Sequence, residues 1–242
     1  MHELLIVLAF SILPAAGIVA GSLLAESIQT PKWLIGASLH ATAGIAIALV
    51  SIDLMPRILL VTPIWVIVIS FLAGAFASVL LARYCAALST HPSVISTSSW
   101  MIYLAISTDL ISDGLMVGTG SAVRSEFGFL IAATQAIANI PGGFAATSNF
   151  RDDGMECWKR LMLSASMALP ALISAGAGFS VMRVVNADIQ SAALAFFVGI
   201  LLLATIEDVI PEADAPKPPR SISTGAFAGG FAMMALLSGL LQ

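Results

Sequence analysis

Residues 44–56 read GIAIALVSIDLMP, and residues 199–211 read GILLLATIEDVIP. Gly44, Asp53 and Pro56 of the first stretch match Gly199, Asp208 and Pro211 of the second, each pair 155 positions apart. A further match lies upstream of each, Leu13-Pro14-Ala15 against Leu169-Pro170-Ala171, 156 positions apart. All four stretches sit in long apolar runs. The chain therefore carries one block of apolar helices twice.

Working outward, a helix needs about 20 apolar residues to cross the hydrocarbon core of a bilayer. Eight stretches qualify: Leu4–Leu24, Trp33–Ile52, Leu59–Ala82, Trp100–Val123, Phe127–Thr147, Leu161–Val181, Ile189–Ile206 and Ile222–Leu241. The run behind Met1-His2-Glu3 lacks a basic leader and exceeds a signal-peptide core in length, so it reads as a first helix. The longest connections expected are Arg83–Ser99, Ser148–Arg160 and Glu207–Ser221, the last studded with Pro211, Pro216, Pro218 and Pro219 that should stop a helix. The expectation is an all-α polytopic membrane protein, one transmembrane domain over residues 1–242.

Composition agrees. Hydrophobic residues make up 59% of the chain and charged ones 10%, where a soluble domain carries roughly a quarter charged. Lipid must solvate the excess, so the bilayer is the first expected partner. The charge of -4 is dispersed, and no basic cluster offers a nucleic-acid surface. Cys85 and Cys157 stand 72 positions apart with no CxxC, which argues against a disulfide framework or a thiolate metal site.

Basic residues set orientation, because loops rich in Lys and Arg stay cytoplasmic. With eight spans, Lys32, Arg83, Arg151, Lys159, Arg160, Lys217 and Arg220 share one side, and Arg57, Arg124 and Arg183 the other. Both termini are then expected outside a plasma (cell inner) membrane. Spans 1–3 start outside and spans 6–8 start inside, so the repeat is inverted. Inverted repeats around a central site are a transporter signature.

The central site should lie between them. Asp109 and Asp113 are four apart in the fourth span and share one helix face. Carboxylates at that depth are costly and functional by default. No Lys or Arg falls inside any expected span, so a bound cation or a proton must neutralise them. Gln135 and Asn139 repeat the four-residue spacing in the fifth span, ahead of Pro141-Gly142-Gly143. Pro141 should free a carbonyl there, and broken helices at mid-membrane expose carbonyls to cations. Ser107, Thr108 and Ser112 flank the aspartates as candidate hydroxyl ligands, although such side chains commonly bond back to their own helix. Asp53, and at the opposite end Glu207, Asp208 and Glu212, fall near the two mouths, where acidic groups draw cations in. His40, alone in the second span, reads as hydrogen-bonded glue.

These motifs resemble the ZIP (Zrt/Irt-like) family of divalent metal transporters, over nearly the whole chain. That family has eight helices in a 3+2+3 arrangement, outside termini, and helices 1–3 and 6–8 related by an inverted repeat. Its fourth helix carries His-Asn-x-x-Glu/Asp-Gly, against Asp109-Leu110-Ile111-Ser112-Asp113-Gly114 here. Its fifth carries a polar pair and Ile-Pro-Glu-Gly, against Ala138-Asn139-Ile140-Pro141-Gly142-Gly143. Its seventh often ends in His-Glu-x-Ile-Pro-Glu, and Glu207-Asp208-Val209-Ile210-Pro211-Glu212 is the nearest match. Asp109, Leu110, Ala138, Gly142 and Leu169 depart from the family's ligands, so its paired-metal centre is incomplete here.

The resemblance implies a transporter, not an enzyme, whose substrate is a divalent cation such as Zn²⁺, Mn²⁺, Fe²⁺ or Mg²⁺. Asp109, Asp113, Asn139, Gln135 and Ser112 would bind it at mid-membrane, with Glu207, Asp208, Glu212 and Asp53 along its path. The missing ligands leave a second expectation: a ZIP-fold protein without metal transport, serving as sensor, partner subunit or carrier of another solute. A membrane hydrolase using both aspartates is disfavoured, because they share one helix face and no HExxH is present. Gly225, Gly229 and Gly230 would allow the close helix contact of a homodimer.

Overall fold

The computed structural model describes residues 2–28, 31–89 and 97–241, without the side chains of Lys32, residues 85–89 and 97–102, Leu104, Ala105 and Leu241. Among these residues the chain is helical from end to end. We number the helices α1 (His2–Ser27), α2 (Lys32–Ala48, continuing through Leu49–Leu54 and Met55–Val61), α3 (Ile64–Ser89) and α4 (Thr97–Val123). Then follow α5 (Ser125–Asp152), α6 (Cys157–Ser166, continuing as Ala168–Met182), α7 (Ala187–Ala204, continuing through Thr205–Val209 and Ile210–Asp214) and α8 (Arg220–Leu241).

Among the described residues, seven of these stretches, in α1–α3 and α5–α8, are long and apolar enough to cross a membrane. With that composition the chain is an integral membrane protein. Helix α4 carries Ser107, Thr108, Asp109, Ser112 and Asp113, and its 27 residues still make a rod of about 40 Å.

Several helix ends fall outside the expected bounds, and at two of them, in α2 and α7, a proline is carried inside the helix. Helix α2 does not stop at Ile52, nor α7 at Ile206; both run on through Pro56 and Pro211 to Val61 and Asp214. Ahead of each proline lies a π-helical stretch, Leu49–Leu54 and Thr205–Val209. There the Met55 N–H donates to the Val50 carbonyl and the Ile210 N–H to the Thr205 carbonyl, five residues back. A proline ring clashes with the carbonyl four residues behind it. The wider π turn moves that carbonyl aside, so the helix survives at the cost of a bulge. The two bulges close at positions 155 apart. The expected connection Glu207–Ser221 is therefore helical as far as Asp214, and the turn falls at Ala215–Pro219.

Other boundaries shift similarly. Helix α3 extends into the expected connection as far as Ser89, taking Cys85 into its last turns, while 90–96 lie outside the described residues. Helix α5 reaches Asp152, and Cys157 opens α6. Helix α6 is interrupted at Met167, where the Pro170 ring would strike the Ser166 carbonyl. Helix α5, in contrast, passes Pro141 unbroken. Arg57, Lys159 and Arg160 lie in helices, which corrects the expectation that no basic residue falls inside a span.

The packing is pairwise. Helix α1 runs along α5, α6 along α4, α2 along α8 and α7 along α3, with α4 and α5 against each other at the centre. Glycines set two of these contacts. A Cβ on Gly44 would meet the backbone at Phe227 and Phe231, and one on Gly199 the backbone at Phe71 and Ala75. Gly74 likewise abuts Phe196 and Gly230 abuts Ala41. Of the three α8 glycines expected to offer close contact, a Cβ added at Gly225 or Gly229 would meet nothing within 4 Å among the described residues.

Contacts also fix two ends of the bundle. At one, His40 Nε2 lies 3.4 Å from Asp214, and Arg151 Nη1 donates to the Ala25 carbonyl at 2.9 Å. There Arg160 clamps Glu26 at 2.5 and 2.7 Å and also reaches the Met155 carbonyl. At the other end, Ser238 reaches Asp53, and the Arg57 guanidinium stacks over the Phe127 ring at 5.0 Å.

Candidate functional site

Asp113 sits in the interior of α4, far from both ends, and is 6% exposed. Helix periodicity turns its carboxylate towards α5, where Gln135 and Asn139 occupy successive turns, both buried. Gln135 Nε2 donates to Asp113 Oδ1 at 2.8 Å, and Asn139 Nδ2 donates to Oδ2 at 2.9 Å. Each carboxylate oxygen thus takes one charge-assisted bond. Asn139 Nδ2 also points at the Pro14 carbonyl of α1, at 3.4 Å, and Gln135 Nε2 at the Met116 sulfur, at 3.8 Å. Gln135 Oε1 is buried with no partner among the described residues. None of the ion pairs among those residues involves Asp113.

The expected broken helix is absent. Pro141 leaves the Ile137 carbonyl without its helical donor, but the rod stays intact. The neighbouring Ala138 carbonyl takes a bond from Thr42 of α2, at 3.1 Å.

Asp109 lies one turn from Asp113 and is exposed. Its charge is felt by Asp113, and it feels that of Asp208 in α7. Asp208 in turn feels Glu207, and Glu212 feels Asp208. Glu207, Asp208 and Glu212 are all exposed. These carboxylates form a string leading from the buried Asp113 to the end of the bundle where Asp214 sits. They do not close into a cage: among the described residues no three His, Cys, Asp or Glu side chains converge as metal ligands. Ser112 is half-buried beside them. His40 is engaged, with Nδ1 donating to its own helix at Gly36 (2.8 Å) and Nε2 facing Asp214.

Asp53 does not belong to this string. It was expected at an open mouth and is instead 0% exposed. Ser238 of α8 donates to its Oδ1 at 2.7 Å, and Arg57, one turn on, lies 4.0 Å away. Asp53 and Asp208 thus occupy matching places in matching π turns, one sealed and one open.

Sequence reasoning missed three participants. The Pro14 carbonyl was marked only as part of a repeat. Ser238 carried no signal, being one hydroxyl in an apolar helix. The Glu26–Arg160 pair was hidden because both ends were read as connections. No family model matches this chain, and no curated protein matches it in sequence.

Proposed function

We propose that this protein is a carrier moving a divalent metal cation across a membrane, built on a ZIP-like 3+2+3 arrangement of eight spans. The observation that carries the reading is Asp113: a buried carboxylate at the centre of the bundle with no cationic partner among the described residues, held in place by Gln135 and Asn139. Ionised groups at such depth are retained for a purpose, and a charge without a protein counter-ion invites an exchangeable one. The inverted repeat is supported by the paired π turns, the reciprocal glycine contacts and the exchange of α1–α5 for α6–α4.

In this reading the ion rests on Asp113. Asp109 completes its charge, and Gln135 Oε1, now unpartnered, turns towards it. Asp208 and Glu212 conduct it between that site and the Asp214 end, which the basic residues make cytoplasmic. The donors are oxygens only, which suits Mn²⁺ or Mg²⁺ and removes the imidazole advantage of Zn²⁺. Raw affinity still rises towards Zn²⁺, so the preference is narrowed, not reversed.

Purified protein in proteoliposomes is expected to take up Mn²⁺ and Zn²⁺, with uptake lost in Asp113→Asn. Asp109→His should raise the Zn²⁺/Mn²⁺ ratio. Folded wild type that moves neither ion, or Asp113→Asn that moves both at the wild-type rate, would sink the proposal.

One observation favours the second reading, a ZIP-fold protein without metal transport: both Asp113 oxygens already hold amide donors, and among the described residues no three His, Cys, Asp or Glu side chains converge there. On that reading Asp113 binds a proton or anchors the core. Metal then raises the melting point of neither the wild type nor Asp113→Asn.

A further inference from the structure

At the end of the bundle opposite Asp214, the start of α1, the α4–α5 corner and the end of α6 enclose a cavity of about 530 Å³. Its rim carries Arg124, Arg183 and Glu3. Its wall is apolar, with Val7 of α1, Val123 of α4 and Phe179 of α6. Arg183 lies over the Phe179 ring at 5.8 Å, which keeps its guanidinium beside the opening. Among the described residues Arg124 pairs with Glu126, at 3.6 Å, and the two side chains are 65% and 73% exposed. Such an exposed pair contributes little and yields to a better acceptor. Arg124 is also the N-cap of α5 and gives no side-chain cap, so the positive end of the helix dipole adds to the potential there. Ser121, whose buried hydroxyl has no partner among the described residues, lines the same cavity.

We propose that this cavity binds the headgroup of a phospholipid, with the phosphate between Arg124 and Arg183 and a headgroup amine at Glu3. Depth, shape and charge favour it together. Seven apolar helices place the bundle in a bilayer, and a cavity at the tip of four helices sits at headgroup level. Two planar guanidinium groups can each donate bidentately to the oxygens of a phosphate. The carboxylate on the same rim offers a place for an ammonium and none for a second phosphate. The apolar wall accepts the glycerol and the first acyl carbons. The inference depends on the membrane setting and not on metal transport, so either can fail alone.

The test is native mass spectrometry of detergent-purified protein titrated with phosphatidylethanolamine, phosphatidylglycerol, diacylglycerol or inorganic phosphate. Wild type is expected to hold phosphatidylethanolamine, and Arg124→Ala/Arg183→Ala to weaken it by about tenfold or more, since each basic group near lipid phosphate contributes about fivefold. Arg124→Lys/Arg183→Lys, which keeps both charges, should fall between, and it carries the test if the alanine pair does not fold. Glu3→Gln should weaken phosphatidylethanolamine and leave phosphatidylglycerol unchanged. Lys159→Ala, at the far end, should change nothing. Equal binding by wild type and both arginine pairs would overturn the site. So would diacylglycerol binding as tightly as the phospholipids. Inorganic phosphate binding as tightly as lipid would overturn the lipid assignment and leave a free-anion site.

Discussion

Substituting Asp113 in two ways separates its charge from its hydrogen bonds. Asp113→Ala removes the acceptor of Gln135 Nε2 and of Asn139 Nδ2, now bonded at 2.8 and 2.9 Å. Both amides are buried, and stranding a buried donor costs about 1–3 kcal/mol each, so the pair costs about 2–6 kcal/mol. Asp113→Asn keeps one oxygen for Asn139. Its new amide donates to Gln135 Oε1 once the Gln135 amide turns over, which leaves Gln135 Nε2 unpaired in place of the oxygen that has no partner in the wild type. What is lost is the charge assistance, about 1–2 kcal/mol, and what is relieved is the cost of a buried carboxylate, of similar size or larger. Asp113→Asn should therefore stand at least about 2 kcal/mol above Asp113→Ala, or about 4–8 °C in melting point for a chain of this length. The assay is tryptophan-monitored unfolding in detergent, with and without Mn²⁺. An ion present at a hundredfold its Kd adds about 2.7 kcal/mol to the wild type, and neither variant should gain this. Equal melting points for the two variants would refute the hydrogen-bond account. A Mn²⁺ shift surviving in Asp113→Asn would refute the use of the charge.

Two further outcomes can be checked with simple constructions. Gly44→Ala and Gly199→Ala place a methyl against helix backbone and should each cost about 1–3 kcal/mol in the same melting assay, whereas Gly225→Ala, with open space around it, should be neutral or stabilising by about 0.5–1 kcal/mol. With Cys85 and Cys157 replaced by serine, an impermeant thiol reagent on intact cells should label Arg124→Cys and spare Lys217→Cys; the reverse pattern would invert the proposed orientation.

How far the sequence was legible follows from which forces are local. Asp113, Gln135 and Asn139 were readable because helix periodicity alone puts residues four apart on one face, and apolar surroundings leave such groups only each other. Helix ends were less readable. Pro56, Pro141 and Pro211 look alike in sequence, yet none ends its helix. Two are absorbed by π turns, whereas Pro141 has none, so the proline alone does not fix how its helix continues. Near Pro141, the Ala138 carbonyl finds Thr42 on another helix. Arg160 was misread for a related reason. A basic residue beside an expected connection reads as exposed, and only the approach of Glu26, 134 positions away, makes its 7% exposure affordable. Asp53 shows the same limit, since Ser238 lies 185 positions from it.

The contrast between Asp53 and Asp208 has its own chemistry. One turn beyond Asp53 stands Arg57; one turn beyond Asp208, at the matching place, stands Glu212. The first pair attracts and the second repels. At the 156-residue offset that relates Gly74 of α3 to Gly230 of α8, Ser238, which closes over Asp53, matches Ala82, which has no hydroxyl to offer Asp208. The sealed end and the open end are thus written as opposite charge patterns on one scaffold. In the proposed carrier, which would open each end in turn, reversing the sign should reverse which end is favoured. Arg57 is 39% exposed, so the attraction is screened, and each pair is taken as about 1 kcal/mol. Glu212→Arg replaces a repulsion by an attraction, a change of about 1–2 kcal/mol, which moves a two-state equilibrium by about 5–30-fold. Thiol labelling of Asp109→Cys, beside Asp208, should slow by that factor when Glu212→Arg is added. Labelling of Ser238→Cys, at a position now 1% exposed, should quicken when Arg57→Glu is added. Rates that ignore both charge changes would mean that the two ends are held by apolar packing alone, and that the paired aspartates do not gate access to Asp113.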